Sequence, residues 1–217
     1  MPTFALISEG ITDQIVIEKL IRLAYKGVDF EDGFDINHLQ PTRDATDVAR
    51  QEEDDFGGWQ QVFEHCSIAA NLYEALSLND YVVIHVDSDI CWHESISIDP
   101  AQNFLDLVVE VESLIISKID PQILSSCQDR IIIAVAVHST ECWLLPFFTR
   151  TQSERTRINS CEGLLRSIVH RGGERYSKDG PGYFDLVRSI RKYKDVEAAA
   201  KCSPSLARFL SSLPLLS

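Results

Sequence analysis

Residues 81–89 read YVVIHVDSD, an apolar run that is interrupted by a single histidine and ends in two aspartates. The run has the length of one strand, and its nearly continuous apolar character is typical of a strand that is buried on both faces of a sheet. Two other stretches share this character, TFALIS at residues 3–8 and RIIIAVAV at residues 130–137. These three stretches therefore predict the central strands of a parallel sheet.

The segments around these strands predict helices and one further strand. FDINHL at residues 34–39 alternates apolar and polar residues, as a half-buried strand does. Apolar residues recur with the period of a helix in four segments, residues 11–27, 59–78, 100–119 and 140–148. Strands that alternate with helices predict an α/β fold with a mostly parallel central sheet of about four strands and helices on both faces.

Beyond about residue 150 the sequence contains no strong strand. A glycine-rich, loop-like stretch lies among short helical patterns, which predict helices over residues 160–170, 182–194 and 203–212. The length of 217 residues fits one domain with an appendage. We therefore expect residues 1–150 to form the α/β core, and residues 151–217 to form a helical C-terminal extension that packs on the same domain.

The formal net charge of -13 is distributed unevenly along the chain. Residues 1–145 contain 7 Lys/Arg and 26 Asp/Glu, whereas residues 146–217 contain 13 Lys/Arg and 7 Asp/Glu. Proteins that bind nucleic acid usually present a basic face, because cations that neutralise phosphates release counterions. The C-terminal third fits such a role, although solvated basic helix faces explain the same residues equally well.

Several features of the sequence concern the location of the protein. The N-terminus lacks the basic region of a secretory signal, and no apolar stretch approaches the length of about 18 residues that spans a membrane. The six cysteines form no Cys-x-x-Cys pair, and we interpret them as reduced, mostly buried thiols. The sequence therefore predicts a cytoplasmic protein that has no membrane partner. Cys91 and His93 leave open a contact with a soft metal.

Acidic residues follow the three predicted central strands. Glu9 follows the first strand, Asp87 and Asp89 follow the second, and Glu141 follows the third. Open parallel sheets bind ligands at the carboxyl ends of their strands, so these four carboxylates predict one metal-binding and catalytic site. Nearby carboxylates repel each other unless a cation neutralises them, and Mg²⁺, with Mn²⁺ as a substitute, suits oxygen ligands. A capped turn without a metal is the alternative for Asp87 and Asp89.

Basic residues and histidines give weaker signals. Lys178 and Arg175, in the glycine-rich stretch 172–182, are candidates for contacts with a substrate phosphate, although an exposed loop explains Lys178 as well. His138 is a candidate base or metal neighbour, and the alternative is a strand-end histidine whose hydrogen bonds are satisfied. His85, inside the second apolar run, is interpreted as a core or interface residue.

Four short motifs carry a resemblance to a known family. LISEGITD at residues 6–13 and the Asp87-Ser88-Asp89 that follows a buried strand resemble the Toprim domain of topoisomerases, primases, OLD-type nucleases and small repair proteins. TECWLL at residues 140–145 and SPSLARFL at residues 203–210 are similar to a stand-alone Toprim-like family of uncharacterised proteins, domain of unknown function 4276. The resemblance covers essentially the whole chain and implies a Toprim-like, Rossmann-like fold.

The resemblance also implies roles for the acidic residues. Glu9 corresponds to the Toprim glutamate, a general acid or base and metal neighbour, Asp87 and Asp89 correspond to the metal-binding Asp-x-Asp, and Glu141 is a supporting ligand. The implied function is a Mg²⁺-dependent nuclease or related phosphoryl-transfer enzyme acting on nucleic acid, in a context such as phage defence. The alternative is a non-enzymatic Toprim-like subunit that acts only with a partner protein, for example an ATPase. A small phosphorylated substrate is disfavoured, because Glu9 replaces the nucleophilic aspartate of phosphatase-like sheets.

Overall fold

The computed structural model describes residues 2–25, 35–41, 58–173 and 175–215. Within these ranges one sheet is formed by four strands, β1 (Phe4–Ile7), β2 (Ile36–Gln40), β3 (Tyr81–Asp87) and β4 (Ile131–Ala136). Their order across the sheet is β2-β1-β3-β4, and each neighbouring pair is parallel. The prediction of an α/β fold with a parallel sheet of about four strands is confirmed, and this architecture is consistent with a Toprim-like fold.

Helices connect the strands and continue beyond the last one. In chain order they are α1 (Ile11–Ala24), α2 (Gly58–Ser67), α3 (Ala69–Leu78), a 3₁₀ helix (Ser88–Trp92), α4 (Phe104–Ile116), α5 (Pro121–Cys127), a second 3₁₀ helix (Gln128–Arg130), α6 (Thr140–Phe148), α7 (Gln152–Arg155), α8 (Cys161–Arg171), α9 (Gly180–Arg188), α10 (Tyr193–Ala200) and α11 (Pro204–Ser212).

Local backbone geometry explains where helices depart from their predicted bounds. The segment predicted as one helix over residues 59–78 is two helices, because the backbone of Ile68 is extended between α2 and α3. The helix predicted over residues 100–119 begins only at Phe104. Its start is set by Asn103, whose side-chain oxygen accepts hydrogen bonds from the backbone N–H groups of Leu105 and Asp106.

Two hydrophobic clusters cover the two faces of the sheet, which confirms the prediction of helices on both faces. Side chains such as Leu6 and Val83 pack under α1, α6 and the C-terminal helices. Side chains such as Ile7 and Ile84 pack on the other face, under α2 to α5. Adjacent residues are divided between the clusters because successive side chains of a strand point to opposite faces.

The C-terminal segment is helical, as predicted, and contributes to the first of these clusters. Trp143 of α6 is fully buried and stacks on Phe209 of α11, with the ring centroids 5.6 Å apart. Its indole N–H donates a hydrogen bond of 2.8 Å to the hydroxyl of Ser205. The helix predicted over residues 182–194 is divided between α9 and α10. The boundary expected near residue 150 stays a prediction.

Two results bear on the expected location of the protein. Within the described ranges, no helix combines the length and the apolar character that crossing a membrane requires. Cys142 and Cys161 form a disulfide, so the interpretation of all six cysteines as reduced thiols is wrong for this pair. The pair meets because α6 and α8 pack together, which a separation of 19 residues in sequence does not indicate. The compartment stays a prediction, and the free cysteines are Cys66, Cys91, Cys127 and Cys202.

Candidate metal site

The connection between β1 and α1 brings two acidic residues to the carboxyl end of the sheet. Glu9 follows β1, and Asp13 lies in the first turn of α1, where free backbone N–H groups favour a negative charge. Asp13 is buried, and its Oδ1 accepts a hydrogen bond of 2.6 Å from the hydroxyl of Thr140 in α6. At Gly58, the first residue of α2, a Cβ would lie 2.5 Å from the carbonyl oxygen of Glu9. A residue without a side chain therefore lets α2 approach this connection.

Strand β3 contributes His85 and Asp87, which are two residues apart and therefore point to the same face. His85 is fully buried, and its Nδ1 lies 2.8 Å from the carbonyl oxygen of Ala134 in β4. A carbonyl oxygen only accepts hydrogen bonds, so Nδ1 carries the proton, and in the neutral imidazole Nε2 presents a lone pair. Nε2 lies 3.2 Å from the Oδ1 of Asp87 and 4.0 Å from the Oδ1 of Asp13.

Asp13, His85 and Asp87, here called the ligand cluster, have the donor atoms of a metal site. Each residue offers one ligand atom, and the three atoms lie within 4.8 Å of one another. The Nε2 of His85 and the Oδ1 of Asp87 are buried and have no hydrogen-bond partner among the described residues. Leaving a buried polar atom unpaired costs about 1–3 kcal/mol. A cation bound to both atoms would remove that cost, so the donor set fits a metal ion.

The carboxyl groups at this end of the sheet are short of positive charge. Burial raises the pKa of the Asp87 carboxyl well above its usual range, and the charges of Asp13, Asp89 and Glu141 raise it further. Burial, followed by the charges of Asp87 and Asp13, also raises the pKa of Glu9 well above its usual range. Burial is the main reason why the pKa values of Asp13 and Asp89 are raised as well. A bound divalent cation would favour the ionised form of all these groups.

The four carboxylates predicted as ligands form two pairs, one at the ligand cluster and one at a neighbouring cleft. The Oε1 of Glu9 accepts a hydrogen bond of 2.6 Å from the backbone N–H of Asp87, so Glu9 contacts the ligand cluster. Asp89 is exposed in the first turn of the 3₁₀ helix that follows β3, and it lines a cleft together with Glu141. The structure thus brings Glu9 and Asp87 into contact and places Asp89 and Glu141 at the cleft. Their roles as metal ligands and catalytic residues stay predictions.

Glu141, buried in the first turn of α6, already has partners. The hydroxyl of Tyr183 donates a hydrogen bond to its Oε1, and the hydroxyl of Tyr176 lies 2.9 Å from that of Tyr183. The Nζ of Lys178 lies 3.7 Å from the same Oε1 and 3.1 Å from the Oε2 of Glu162. Glu141 is therefore satisfied by a neutral and a cationic partner, unlike the two unpaired atoms of the ligand cluster.

The cleft has a volume of about 510 Å³, and its walls include Asp89, Trp92, His138, Glu141, Glu162 and Lys178. The Lys178 side chain is 53% exposed. His138 adopts a left-handed backbone conformation with φ of 60°, and its backbone N–H donates a hydrogen bond of 2.8 Å to the hydroxyl of Ser88. Burial lowers the pKa of the His138 imidazole, which favours its neutral form. Arg175 is exposed and lies outside these walls.

Sequence reasoning missed Asp13 and His85. A signal for Asp13 was its place in the first turn of a predicted helix, four residues after Glu9. A signal for His85 was its place two residues before Asp87, on the same face of a strand. The burial of His85 was predicted correctly, but the direction of its Nε2 depends on the carbonyl of Ala134 in the neighbouring strand.

Comparisons with known proteins identify no relative of this chain from which a function could be inferred. A scan against protein-family models, a search of the curated proteins and a search of the solved structures each gave no match. What the site can do is therefore inferred from its donor atoms, its charges and its place in the sheet.

Proposed function

We propose that this protein is a divalent-metal-dependent phosphodiester hydrolase, a nuclease or related phosphoryl-transfer enzyme that acts on nucleic acid. The observation that carries this proposal is the pair of buried atoms His85 Nε2 and Asp87 Oδ1, which lie 3.2 Å apart without hydrogen-bond partners among the described residues. With Asp13 they supply one nitrogen and two oxygen ligands. They lie at the carboxyl end of a parallel sheet, where such sheets bind ligands.

The ligand types bear on which ion binds. Carboxylates favour Mg²⁺, which keeps to oxygen ligands and retains several waters. An imidazole shifts the preference towards Mn²⁺, because first-row transition metals accept nitrogen ligands more readily than Mg²⁺ does. We therefore expect both ions to bind and Mn²⁺ to bind more tightly, with His85 responsible for the difference.

The residues at the carboxyl end of the sheet have different roles in the proposed chemistry. A bound divalent ion polarises a phosphoryl oxygen and lowers the pKa of a bound water. Asp13, His85 and Asp87 would hold the ion, and Asp89 and Glu141, the other two carboxylates predicted as ligands, would support it from the cleft. Glu9 contacts the backbone of Asp87 and takes the role of general acid or base, as the Toprim resemblance implies.

Lys178 is the proposed contact for the phosphate of the substrate. Its side chain is half exposed at the cleft, and its ammonium group lies near Glu141 and Glu162. Arg175, exposed three residues earlier, is the second proposed contact. Both belong to residues 146–217, whose 13 Lys/Arg supply the positive charge that the acidic first part of the chain lacks.

The Toprim resemblance supports the same proposal. The motif at residues 6–13 begins within β1, and the Asp87-Ser88-Asp89 motif begins at the last residue of β3. These two strands are hydrogen-bonded neighbours in the sheet. We extend the proposal to membership in the stand-alone Toprim-like family and to a role in phage defence. The genes around the one that encodes this chain would test that extension, and a genomic setting without defence genes would contradict it.

A second candidate is a non-enzymatic Toprim-like subunit that acts with a partner protein such as an ATPase. Glu141 favours this candidate, because Tyr183 and Lys178 already satisfy a carboxylate that was predicted as a ligand. The net charge of -13 favours it too, since the chain alone is a poor electrostatic match for nucleic acid. A partner that co-purifies with a chain that has no activity of its own would support this candidate.

Metal-dependent cleavage separates the two candidates. The purified protein is incubated with single-stranded and double-stranded DNA and RNA in Mg²⁺, Mn²⁺ or EDTA. We expect cleavage with either metal, none in EDTA, and a loss of about 100-fold or more in Asp87→Asn. Asp80→Asn is the matched control, because Asp80 is exposed at the opposite end of the same strand. Unchanged cleavage in Asp87→Asn would rule out this site, and metal binding without cleavage would favour the subunit.

A further inference from the structure

Trp92 is the last residue of the 3₁₀ helix after β3, and its side chain is 66% exposed. Tryptophan is highly buried on average, because its large apolar surface is unfavourable in water. An indole that remains exposed on a helix at the end of a central strand offers a flat apolar face on which a ligand can pack. The chain has three tryptophans, and Trp143 is fully buried whereas Trp59 packs edge-on against Phe63 and His93.

The 3₁₀ helix that contains Trp92 is held in place by buried side chains that pack against the sheet. Ile90 and Cys91 are 2% and 4% exposed and belong to the hydrophobic cluster on one face of the sheet. The ring of His93, the next residue after the helix, packs edge-on against Trp59 with centroids 5.2 Å apart. The anchored residues leave Asp89 and Trp92 pointing away from the core, and both are exposed.

Asp89 and Trp92 lie side by side. In a 3₁₀ helix residues i and i+3 eclipse each other, and a rise of about 2 Å per residue separates them by roughly 6 Å along the axis. Both side chains line the cleft of about 510 Å³ that also contains Glu141 and Lys178. One cleft is therefore lined by the carboxylates of Asp89 and Glu141, whose charge a metal would neutralise. The same cleft contains the ammonium group of Lys178, which can contact a phosphate, and the exposed indole of Trp92.

We propose that Trp92 stacks on an unpaired base of the nucleic-acid strand whose phosphate lies at the metal site, so that the substrate is single-stranded. This inference rests on the proposed function and names its substrate class. A nucleotide combines an anion with a flat ring, and a base offers its face to an indole only when it is not stacked inside a duplex. The cleft walls around Trp92 are mostly charged and polar, which disfavours an apolar protein surface as the ligand.

Tryptophan fluorescence and equilibrium binding test this inference without depending on cleavage. The whole protein is titrated with a single-stranded oligodeoxynucleotide, an abasic strand of the same length and charge, and the corresponding duplex. Ca²⁺ replaces the active ion, because it accepts the same oxygen ligands. We expect the single strand to quench the fluorescence of the wild type but not the fluorescence of Trp92→Phe, and we expect the abasic strand and the duplex to bind more weakly.

Two substitutions separate stacking from folding. Trp92→Ala should raise the Kd for the single strand on the order of tenfold and leave the Kd for the abasic strand unchanged, whereas Trp92→Phe should keep most of the affinity. Leu78→Ala is the matched control, because Leu78 is 69% exposed in α3, which leads into the opposite end of the sheet. It should bind as the wild type does, and all variants should unfold at the same temperature.

The outcomes distinguish this inference from the proposed function. An abasic strand or a duplex that binds as tightly as the single strand, or an unchanged Kd in Trp92→Ala, would overturn the role of Trp92. Metal-dependent cleavage that persists in those circumstances would leave the hydrolase intact. If calorimetry detects no binding of Mg²⁺ or Mn²⁺ and none of the strands binds, both are wrong.

Discussion

Charged residues lie at both the amino end and the carboxyl end of the sheet, but two buried polar atoms at the carboxyl end have no hydrogen-bond partner among the described residues. At the amino end the backbone N–H and the hydroxyl of Thr3 donate to the carboxylate of Asp80 at 2.8 and 3.1 Å, and the backbone N–H of Asp80 donates back to the Thr3 hydroxyl at 2.9 Å. The Arg130 guanidinium donates to three backbone carbonyls, of Asp80, Leu76 and Asn79, at 2.8, 2.5 and 2.6 Å. These contacts join β1, β3, β4 and the end of α3.

At the carboxyl end, by contrast, buried polar atoms lack hydrogen-bond partners in the part of the chain that the structure describes. The Nε2 of His85 and the Oδ1 of Asp87 are buried without hydrogen-bond partners among the described residues. The hydrogen bond from the Thr3 backbone is the main reason why the pKa of Asp80 is lowered, whereas burial raises the pKa of Asp87 well above its usual range. The contacts at the amino end stabilise the fold, whereas the two unpaired atoms at the carboxyl end cost stability that a bound cation would restore.

The largest change in the free energy of unfolding is expected at the amino end of the sheet, for Arg130→Met. Methionine keeps the apolar stem of the side chain but leaves the carbonyl oxygens of Leu76 and Asn79 without their donors. We expect the free energy of unfolding to fall by about 2–4 kcal/mol, as measured by urea denaturation. Metal binding should be unchanged, because Arg130 lies at the far end of the sheet. A loss below about 0.5 kcal/mol would show that this end is not specially stabilised.

In EDTA, Asp87→Asn is expected to raise the free energy of unfolding, whereas Arg130→Met is expected to lower it. At a pH where the Asp87 carboxyl is ionised, the amide removes a buried charge, and its N–H, in place of the unpaired Oδ1, can donate to the unpaired Nε2 of His85. We expect the metal-free variant to be more stable than the wild type by about 1–2 kcal/mol, a rise in Tm of roughly 2–8 °C in thermal unfolding. A lower Tm in EDTA would mean that the carboxylate of Asp87 stabilises the fold, as the carboxylate of Asp80 does.

The smallest effect is expected for Asp80→Asn, and it depends on pH. The folded state lowers the pKa of Asp80, so its charged form contributes stability above the usual pKa of about 3.9, and that contribution is lost as the pH falls through the lower pKa of the folded state. Because Asp80 is exposed, we expect a loss below about 1 kcal/mol at pH 7. Urea denaturation at pH 7 and pH 3 would measure a difference that shrinks with acid, and a difference that grows with acid would reverse the assigned sign.

The fold was largely predictable because its central strands are nearly continuous apolar runs. Residues 3–8 and 81–86 appear as β1 and β3 with small changes at their ends. The break between α2 and α3 was not predictable, because the apolar period continues through the extended residue Ile68. The disulfide between Cys142 and Cys161 was also missed, since it depends on how two helices pack.

The candidate site was predictable only in part, for a related reason. The sequence shows where strands end, so it placed Glu9 and Asp87 at one end of the sheet, where they are in contact. It does not show which side chains tertiary contacts bring there. Asp13 belongs to the ligand cluster through its contact with Thr140, 127 residues away, and His85 through its bond to Ala134 in the neighbouring strand.

Thermal unfolding of the wild type and of Asp87→Asn, with and without Mn²⁺, tests most directly whether the carboxyl end of the sheet binds a cation. At 100 times the Kd, an ion that binds only the folded state adds about 2.7 kcal/mol, which should raise the Tm of the wild type by roughly 5–10 °C. We expect that rise to be lost in Asp87→Asn and kept in Asp80→Asn. A wild-type Tm that is the same with and without Mn²⁺, or an equal rise in Asp87→Asn, would contradict a metal site at Asp13, His85 and Asp87.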